Sequence, residues 1–357
     1  MQRCRRLNPI GLLFLLSGVF LYASQAYAVL YVADGSLANG TGQSVSTWFN
    51  NAKDNIAPTT RIAGTATTFT GDAPAAVAVD ANWIYAANWD RIDIFPINGS
   101  GNIGPTRSIQ GSATNLVGAV AVTVDANWIY VADRTNNSID IFPINGDGDI
   151  GPTRSILGAT SGLINPFGVA VDANWIYVAN GNHPSIDVFP INGHGDIGPT
   201  RSIVGATTTL GRVIGVAVDA KWIYVTDEIT QSINVFPING ANNIAPTRSI
   251  HGAATTLSAP HHIAVDASWI YVTDPNSQSI DVFPIDGANN IPPTRSIRGA
   301  NTMLAHPYGI AVNDDGAVGG SATAVPTLSE WALLLLVGLT GLFGMVAKQR
   351  VNWSARP

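Results

Sequence analysis

Short runs of Val, Ile, Tyr and Phe recur along the chain, and clusters of Gly, Pro, Asn and Asp separate them. One copy of the pattern contains four such runs, at residues 168–172, 175–180, 185–190 and 199–205. Apolar runs of this length, bounded by turn residues, predict strands joined by hairpins. The pattern therefore predicts an all-β chain built from four-stranded units.

The units repeat with a nearly constant period. A tryptophan opens the second run of five copies, at intervals of 45, 47, 47 and 47 residues: Trp83, Trp128, Trp175, Trp222 and Trp269. An arginine of the fourth run keeps the same period: Arg61, Arg107, Arg154, Arg201, Arg248 and Arg295. A period in the forties with four short strands per copy is typical of a β-propeller blade.

The two ends of the repeat region complement each other. The first copy starts at a second strand, residues 29–34, and the last copy ends at a first strand, residues 309–312. A solenoid would need capping repeats, whereas a ring needs ends that pair. We therefore predict a six-bladed β-propeller of four-stranded blades over residues 29–313, closed by its N- and C-terminal strands.

The order of strands within a blade also follows from their residues. The apolar first strand is expected beside the central channel. The fourth strand carries Pro and Arg, which suit an exposed sheet edge, so it is expected outermost. The dipeptide Asn-Gly between the third and fourth strands, as at Asn145–Gly146, predicts a tight hairpin with left-handed backbone angles.

Both ends of the chain read as targeting segments. Residues 1–28 combine a basic start, an apolar stretch and the cleavage site Ala26-Tyr27-Ala28, which is typical of a signal peptide. Residues 331–347 form an uncharged run of 17 residues followed by Lys348 and Arg350. This run predicts a transmembrane helix with a cytoplasmic C-terminus. Residues 314–324 would be a flexible linker to a sorting segment at 325–357.

Charge and cysteine content narrow the partners. Without residues 1–28 and 331–357, the chain has 12 basic and 24 acidic residues and a formal charge of −12. It has no basic stripe, which argues against nucleic acid as a partner. The one cysteine, Cys4, lies in the predicted signal peptide. The mature chain is therefore expected to have no disulfide, thiolate metal site or cysteine nucleophile.

Two parts of the sequence resemble known families. The runs Gly-Val-Ala-Val-Asp, Ile-Tyr-Val-Ala-Asn and Ser-Ile-Asp-Val-Phe at 168–189 resemble NHL and YVTN-type propeller repeats. The likeness spans residues 29–313 and implies a propeller, although Asn-Trp stands where the NHL pattern commonly has a glycine turn. The C-terminal residues resemble the IPTL-CTERM sorting signal of Gram-negative bacteria: Val325, Pro326, Thr327, Leu328, Ser329, Glu330 and Trp331.

The second resemblance implies a location. An IPTL-CTERM protein is expected to be exported and anchored in the inner membrane through its C-terminal helix, with the propeller in the periplasm. The envelope sorting machinery would then be a partner, and transfer to the cell surface or secretion could follow.

Candidate chemistry lies in the loops that precede the first strands, because these loops vary while the rest repeats. In a propeller they surround one mouth of the channel. They bring together the predicted ligand-binding residues His261, His262, His306, Tyr308, Arg212 and Asn165. The sequence requires no cofactor, but the imidazoles would suit a divalent metal, released below about pH 6, or acid–base chemistry.

Two observations weigh against an enzyme. Metal-dependent propeller enzymes generally place carboxylates in the channel, and the sequence places no Glu there; Glu228 is the only glutamate before the sorting segment. The recurrent aspartates that end first strands are expected to cap turns: Asp80, Asp125, Asp172, Asp219 and Asp266. We therefore favour a binding or scaffolding module for an unidentified protein or glycan. The alternative is a channel-mouth lyase or lactonase-type hydrolase that uses a metal or histidines.

Overall fold

A computed structural model describes residues 28–35, 42–70 and 74–313, which form six four-stranded sheets, the blades. Blade 1 consists of β1 (Val29–Gly35), β2 (Ser44–Phe49), β3 (Thr60–Ile62) and the last strand, β24 (His306–Asn313). Blade 2 consists of β4 (Ala76–Val79), β5 (Trp83–Ala87), β6 (Arg91–Pro96) and β7 (Arg107–Gln110). Blade 3 consists of β8 (Ala119–Val124), β9 (Trp128–Asp133), β10 (Ser138–Pro143) and β11 (Arg154–Ile156).

The other three blades repeat this plan. Blade 4 consists of β12 (Pro166–Val171), β13 (Trp175–Asn180), β14 (Ser185–Pro190) and β15 (Arg201–Val204). Blade 5 consists of β16 (Val213–Val218), β17 (Trp222–Asp227), β18 (Ser232–Pro237) and β19 (Arg248–His251). Blade 6 consists of β20 (Ile263–Val265), β21 (Trp269–Asp274), β22 (Ser279–Pro284) and β23 (Arg295–Arg298). Short 3-10 turns follow five outer strands: Ser112–Thr114, Ala159–Ser161, Ala206–Thr208, Ala253–Thr255 and Ala300–Thr302.

Each blade runs from an apolar inner strand to a partly exposed outer strand. The first strands of neighbouring blades contact one another around the channel, and every residue of β8, β12 and β16 is buried. The fourth strand lies at the opposite edge of each sheet. The predicted blade composition and strand order are thus confirmed.

The cores lie between blades. Six hydrophobic clusters each combine residues of two adjacent blades. Their largest fully buried members are Trp48 of blade 1, the tyrosines of the second strands and the phenylalanines of the third strands. These tyrosines and phenylalanines are Tyr85, Tyr130, Tyr177, Tyr224, Tyr271, Phe95, Phe142, Phe189, Phe236 and Phe283. Because a blade can bury these faces only against its neighbours, ring closure is part of core formation.

The ring closes as the sequence predicts. Strand β1 pairs antiparallel with β24, and Val29 lies opposite Asn313. A second set of bonds joins blade 6 to blade 1 on the outside of the ring. There the Asp54 amide donates to the Ser296 carbonyl at 2.6 Å, and Arg295 Nη2 donates to the Asn50 carbonyl at 2.8 Å.

The repeated arginine does more than protect an edge. In blade 3 the Arg154 guanidinium lies 5.0 Å from the Trp128 ring centroid of the same blade. Its Nη1 also donates to the Ile191 carbonyl of blade 4 at 2.8 Å. The same stack recurs in blades 2, 4, 5 and 6. Each of these arginines therefore covers a tryptophan and ties its blade to the next.

The predicted left-handed Asn-Gly hairpin is wrong. Neither Asn145 nor Gly146 has a positive φ, which falls instead at Gly148, with φ 73°. The Gly146 amide closes a turn onto the Pro143 carbonyl at 2.8 Å, and the chain then reaches back to Ser108 of blade 2. A Cβ on Gly146 would lie 2.8 Å from Ile109 Cδ1. Glycine is needed there for close packing between blades rather than for its backbone angles.

Several predicted segments lie outside the described residues: the signal peptide before Ala28, the linker at 314–324, the sorting segment at 325–357 and its helix at 331–347. Within residues 28–35, 42–70 and 74–313, no helix has the length and apolar character needed to cross a membrane.

Candidate functional site

One residue of each blade lies at the start of its first strand, where the channel opens. We call this end of the ring the channel mouth. The six equivalent positions are Ala75, Val120, Phe167, Ile214, His261 and Tyr308. Four of them, from blades 2 to 5, pack together with Trp89 in one hydrophobic cluster. Since non-adjacent blades such as 2 and 5 can meet only near the axis, the cluster forms an apolar floor at the mouth. Blades 6 and 1 contribute an imidazole and a phenol instead.

The two neighbouring histidines of blade 6 contact each other directly. Their Nδ1 atoms lie 2.9 Å apart, and His262 Nδ1 lies 3.1 Å from the Tyr308 carbonyl oxygen. The His261 ring centroid lies 5.0 Å from that of Tyr308. At this separation one of the two Nδ1 atoms carries a hydrogen and donates it in a hydrogen bond to the other. The pair is thus held between blades 6 and 1.

His262 occupies a crowded position. The other blades have Ala or Gly there: Ala76, Ala121, Gly168, Gly215 and Gly309. A Cβ on Gly309 would lie 2.5 Å from Ala76 Cα, because neighbouring inner strands approach closely. The large side chain of His262 cannot be accommodated in that geometry. Accordingly β20 begins only at Ile263, whereas β16 begins at Val213, the residue before its mouth position.

Burial keeps both imidazoles neutral at physiological pH. It lowers the pKa of His262 to about 4, although the carbonyls of Tyr308 and Phe167 oppose the shift. Burial also lowers the pKa of His261 well below its usual value, and the neighbouring His262, Arg212 and Arg134 add to this. Nε2 of His262 is buried and makes no hydrogen bond to any described residue. The site therefore offers a neutral, buried nitrogen that makes no hydrogen bond of ordinary geometry, with the Phe167 carbonyl near the ring.

Arg212 and Glu228 form an ion pair at the mouth. Arg212 Nη1 lies 2.6 Å from Glu228 Oε2, and the Arg212 guanidinium lies 4.9 Å from the Phe167 ring centroid. The Glu228 amide also donates to the Arg212 carbonyl at 3.0 Å. The structure therefore places the one glutamate of the described residues at the mouth, where the sequence placed none.

Two further residues of the mouth, Arg134 and Trp89, were not predicted from the sequence. The Arg134 guanidinium lies 4.5 Å from the Trp89 ring centroid and 5.6 Å from that of Phe167. Arg134 follows Asp133, the last residue of β9, and Trp89 follows the equivalent residue of blade 2, Asn88, which lies just after β5. Residues at this point differ between blades: Gly35, Trp89, Arg134, Gly181, Glu228 and Pro275. That variation in a second set of loops was the signal available in the sequence.

The remaining predicted residues lie further from the imidazole pair. The His306 ring stacks on Tyr308 with centroids 6.2 Å apart, and its amide donates to Asp34 at 2.7 Å. The Asn165 amide donates to Asn137 Oδ1 at 2.7 Å, and its carbonyl accepts from Gly181. The structure thus brings His261, His262, Tyr308, His306 and Arg212 into one surface. Its contacts assign Asn165 to the loop of blade 4. The ligand-binding role of these residues stays a prediction.

The recurrent aspartates serve blade construction, as predicted. Asp172 Oδ1 accepts from the amides of Asn174 and Trp175 at 2.7 and 2.8 Å, and Oδ2 accepts from the Tyr177 hydroxyl at 2.7 Å. Asp80, Asp125, Asp219 and Asp266 make the same three bonds. These carboxylates are fully engaged in the turn between the first and second strands.

Among the described residues, no group of three or more His, Cys, Asp or Glu side chains is arranged to hold a metal. A groove of about 390 Å³ lies on the outside of the ring, where blade 6 meets blade 1. Its lining includes Lys53, Asp54, Arg295 and Arg298, and none of the predicted site residues. We place the candidate site at the mouth rather than in this groove, because the residues that depart from the repeat gather there.

Comparison with known proteins identifies the C-terminal segment. Residues 323–350 match the IPTL-CTERM motif, a range that contains all seven predicted sorting residues. No curated protein sequence matches the chain.

Solved structures share the fold. A chain in the crystal structure of a nidogen/laminin complex aligns with a TM-score of 0.55 at 16% identity, over 80% of this chain and 97% of that one. A putative 6-phosphogluconolactonase from Bacteroides fragilis aligns with a TM-score of 0.54 at 11% identity, over 82% and 99%. Identities this low establish the fold alone. The chain is a six-bladed β-propeller that carries an IPTL-CTERM motif at its C-terminus.

Proposed function

We propose that this protein is an exported, envelope-sorted binding module whose ligand site is the channel mouth. The IPTL-CTERM motif supports export and sorting. We further propose that the C-terminal segment anchors the chain in the inner membrane, with the propeller in the periplasm, before any transfer to the surface. Fold alone does not assign a ligand, so the binding role depends on the site itself.

The binding role is supported mainly by one observation: the residues that depart from the repeat gather at the channel mouth. Over most of the ring, equivalent residues of the blades make equivalent contacts, as the aspartate turns and the Arg–Trp stacks show. At the mouth the equivalent positions carry different chemistry: an apolar floor, two imidazoles, a phenol and an ion pair. Structural repetition does not require this variety, and ligand recognition does.

The imidazole pair is also the observation that favours the catalytic alternative, a lyase or lactonase-type hydrolase. A general base works best when its pKa is near the working pH. The pKa of about 4 at His262 makes that side chain a weak base at neutral pH. Binding is therefore the better-supported function, and elemental analysis together with lactone turnover assays would measure the alternative directly.

A ligand screen on the full chain tests the proposal. Small glycans and metabolites, neutral and charged, are ranked by the increase in melting temperature that they cause. A mouth ligand should lose most of its effect in His261→Ala and keep it in His251→Ala, which changes an exposed histidine on the outer strand β19. Equal effects in both variants, or no stabilising compound, would count against a site at the mouth.

A further inference from the structure

One cation at the mouth, Arg134, has no ion-pair partner among the described residues. Arg212 is paired with Glu228 at 2.6 Å. Arg134 has no carboxylate within ion-pair distance and no hydrogen-bond acceptor for its guanidinium in the described parts of the chain. Two buried carboxylates of the same loops, Asp133 and Asp227, accept hydrogen bonds from backbone amides instead of pairing with it. Arg134 is therefore an unpaired cation in a chain whose formal charge is −6.

Arg134 is held in place by aromatic rings. Its guanidinium stacks over Trp89 at 4.5 Å and approaches Phe167 at 5.6 Å. Stacking occupies the faces of a guanidinium and leaves the N–H groups along its edge for planar acceptors. Burial and the nearby Arg212 both lower the pKa of Arg134, so the protein keeps two like charges close together. A carboxylate bound at Arg134 would offset both effects.

The backbone at Trp89 is strained in a way that serves this stack. Trp89 has a φ of 51°, in the left-handed region that bulky residues rarely adopt. Its carbonyl accepts from the Ala119 amide at 2.8 Å, which fixes the loop of blade 2 against β8. The loop conformation at Trp89 therefore holds the ring under the Arg134 guanidinium.

The other side of the mouth offers hydrogen bonding without charge. Nε2 of His262 is buried and makes no hydrogen bond to a described residue, and its Nδ1 faces His261 and the Tyr308 carbonyl. Between this atom and Arg134 lies the apolar floor that includes Phe167 and Ile214. The surface therefore combines one cation, one neutral polar atom and an apolar patch.

We propose that the channel mouth binds a small monocarboxylate, whose carboxylate group is held by the edge of the Arg134 guanidinium. This inference rests on the proposed function, since it names the ligand class of the same site. The one unpaired guanidinium matches a single carboxylate group. A phosphate dianion would be repelled by Glu228 and left with an uncompensated charge. The body of the ligand would lie on the apolar floor, with a hydrogen bond to His262.

The test uses the full chain and isothermal titration calorimetry with five probes. The monocarboxylates are glucuronate and benzoate, which separate a sugar body from an aromatic one. Glucose and benzamide are their neutral counterparts, and inorganic phosphate is the competing anion. We expect at least one monocarboxylate to bind with a Kd of about 10 mM or below. It should bind more tightly than its neutral counterpart and more tightly than phosphate. Its affinity should fall as salt is added.

Substitutions locate the interaction. Arg134→Gln should weaken binding at least about tenfold, because a charge-assisted bidentate contact is lost. Arg134→Lys keeps the charge but loses the bidentate guanidinium contact. Its affinity for the monocarboxylate should lie between that of Arg134→Gln and that of the native chain. Arg298→Gln is the matched control, since it removes an exposed arginine that lines the outer groove. Unchanged melting temperatures would show that the variants fold.

Three results would overturn the proposal: no monocarboxylate binding, tighter binding of phosphate, or an affinity of Arg134→Gln within about twofold of the native value. Other results would distinguish failure of the carboxylate assignment from failure of the proposed binding role of the mouth. If neutral probes bind and are lost in His261→Ala but not in Arg134→Gln, the mouth is a binding site and the carboxylate assignment is wrong. If loss occurs only in Arg298→Gln, the outer groove is the site and both fail.

Discussion

Trp175 and Arg201 show how a single pair of residues holds two blades. The Arg201 guanidinium lies 4.9 Å from the Trp175 ring centroid, and its Nη2 donates to the Ile238 carbonyl of blade 5 at 2.8 Å. Trp175 is half-buried and packs against the cluster between blades 4 and 5. Its ring is therefore covered by a cation on one side and by the core on the other.

Replacing this ring should be costly. Trp175→Ala removes the core contact and leaves Arg201 without a stacking partner. Because the ring is only half-buried, we expect a loss of about 2–4 kcal/mol in the free energy of unfolding, toward the low end for a large aromatic residue. Urea unfolding of the full chain measures it. Ile229→Ala, at a side chain that is 67% exposed, should cost less than about 0.5 kcal/mol. A loss below about 1 kcal/mol at Trp175 would mean that the ring contributes little to packing.

At the residue scale, the sequence predicted which residues are structural better than it predicted which partners they contact. The period identified Arg201 and Trp175 as structural because they recur, and their roles are structural. It did not reveal that the arginine reaches a carbonyl 37 residues further on, since the distance between blades depends on how the ring closes. For the same reason Arg134 and Trp89, which lie in loops of different blades, could not be paired from the sequence.

Among the elements, the seam between β1 and β24 has a chemistry of its own. Asp34, at the end of β1, is 1% exposed and accepts hydrogen bonds from the amides of Ala305 and His306. Burial raises its pKa to about 7, although those amides, Arg61 and His306 favour the charged form. The seam therefore binds a proton that the unfolded chain releases near pH 4.

This shift predicts how stability depends on pH. Between about pH 4 and pH 7 the folded state retains the proton and the unfolded state does not, so stability falls as pH rises, by at most about 4 kcal/mol. Asp34→Asn should flatten that decline, because Asn88 and Asn180 fill the same place in blades 2 and 4. Urea unfolding between pH 4 and 8 measures the slope. Asp90→Asn, at an exposed carboxylate, controls for the loss of one charge. An unchanged slope in Asp34→Asn would show that the seam does not hold the proton.

The sequence predicted the strands of the seam but not this carboxylic acid. The complementary ends at residues 29–34 and 309–312 were enough to predict that β1 and β24 pair. The shortening of β20 was not predictable, because it follows from the packing of His262 against neighbouring inner strands. Periodicity determines which residues form strands, whereas side-chain volume at close approaches determines where a strand begins.

At the scale of the whole molecule, the predicted architecture holds because every blade depends on its neighbours. The six clusters between blades leave no blade with a core of its own. Six copies of one pattern, together with complementary ends at residues 29–34 and 309–312, were therefore sufficient to predict a closed ring. The mouth could not be predicted as fully, because its residues come from two sets of loops whose convergence depends on the finished ring.

The C-terminal segment should determine where the ring resides. A chain that stops at Gly320 retains β24 and lacks the matched residues 323–350. We expect it to be released as a folded, soluble propeller into the periplasm or medium, while the full chain sediments with membranes. Cell fractionation and thermal unfolding of both forms measure this. Membrane attachment of the shortened chain would point to a different tether.

The pairing of Val29 with Asn313 also determines at which end of the ring the described chain finishes. First strands begin at the mouth and end on the opposite side of the ring, so the chain leaves the propeller after Asn313 on the side away from Arg134 and His261. The matched motif starts ten residues further on, at 323. If that segment anchors the chain, as proposed, we expect the mouth to face away from the point of attachment and to be open to ligands that diffuse in solution.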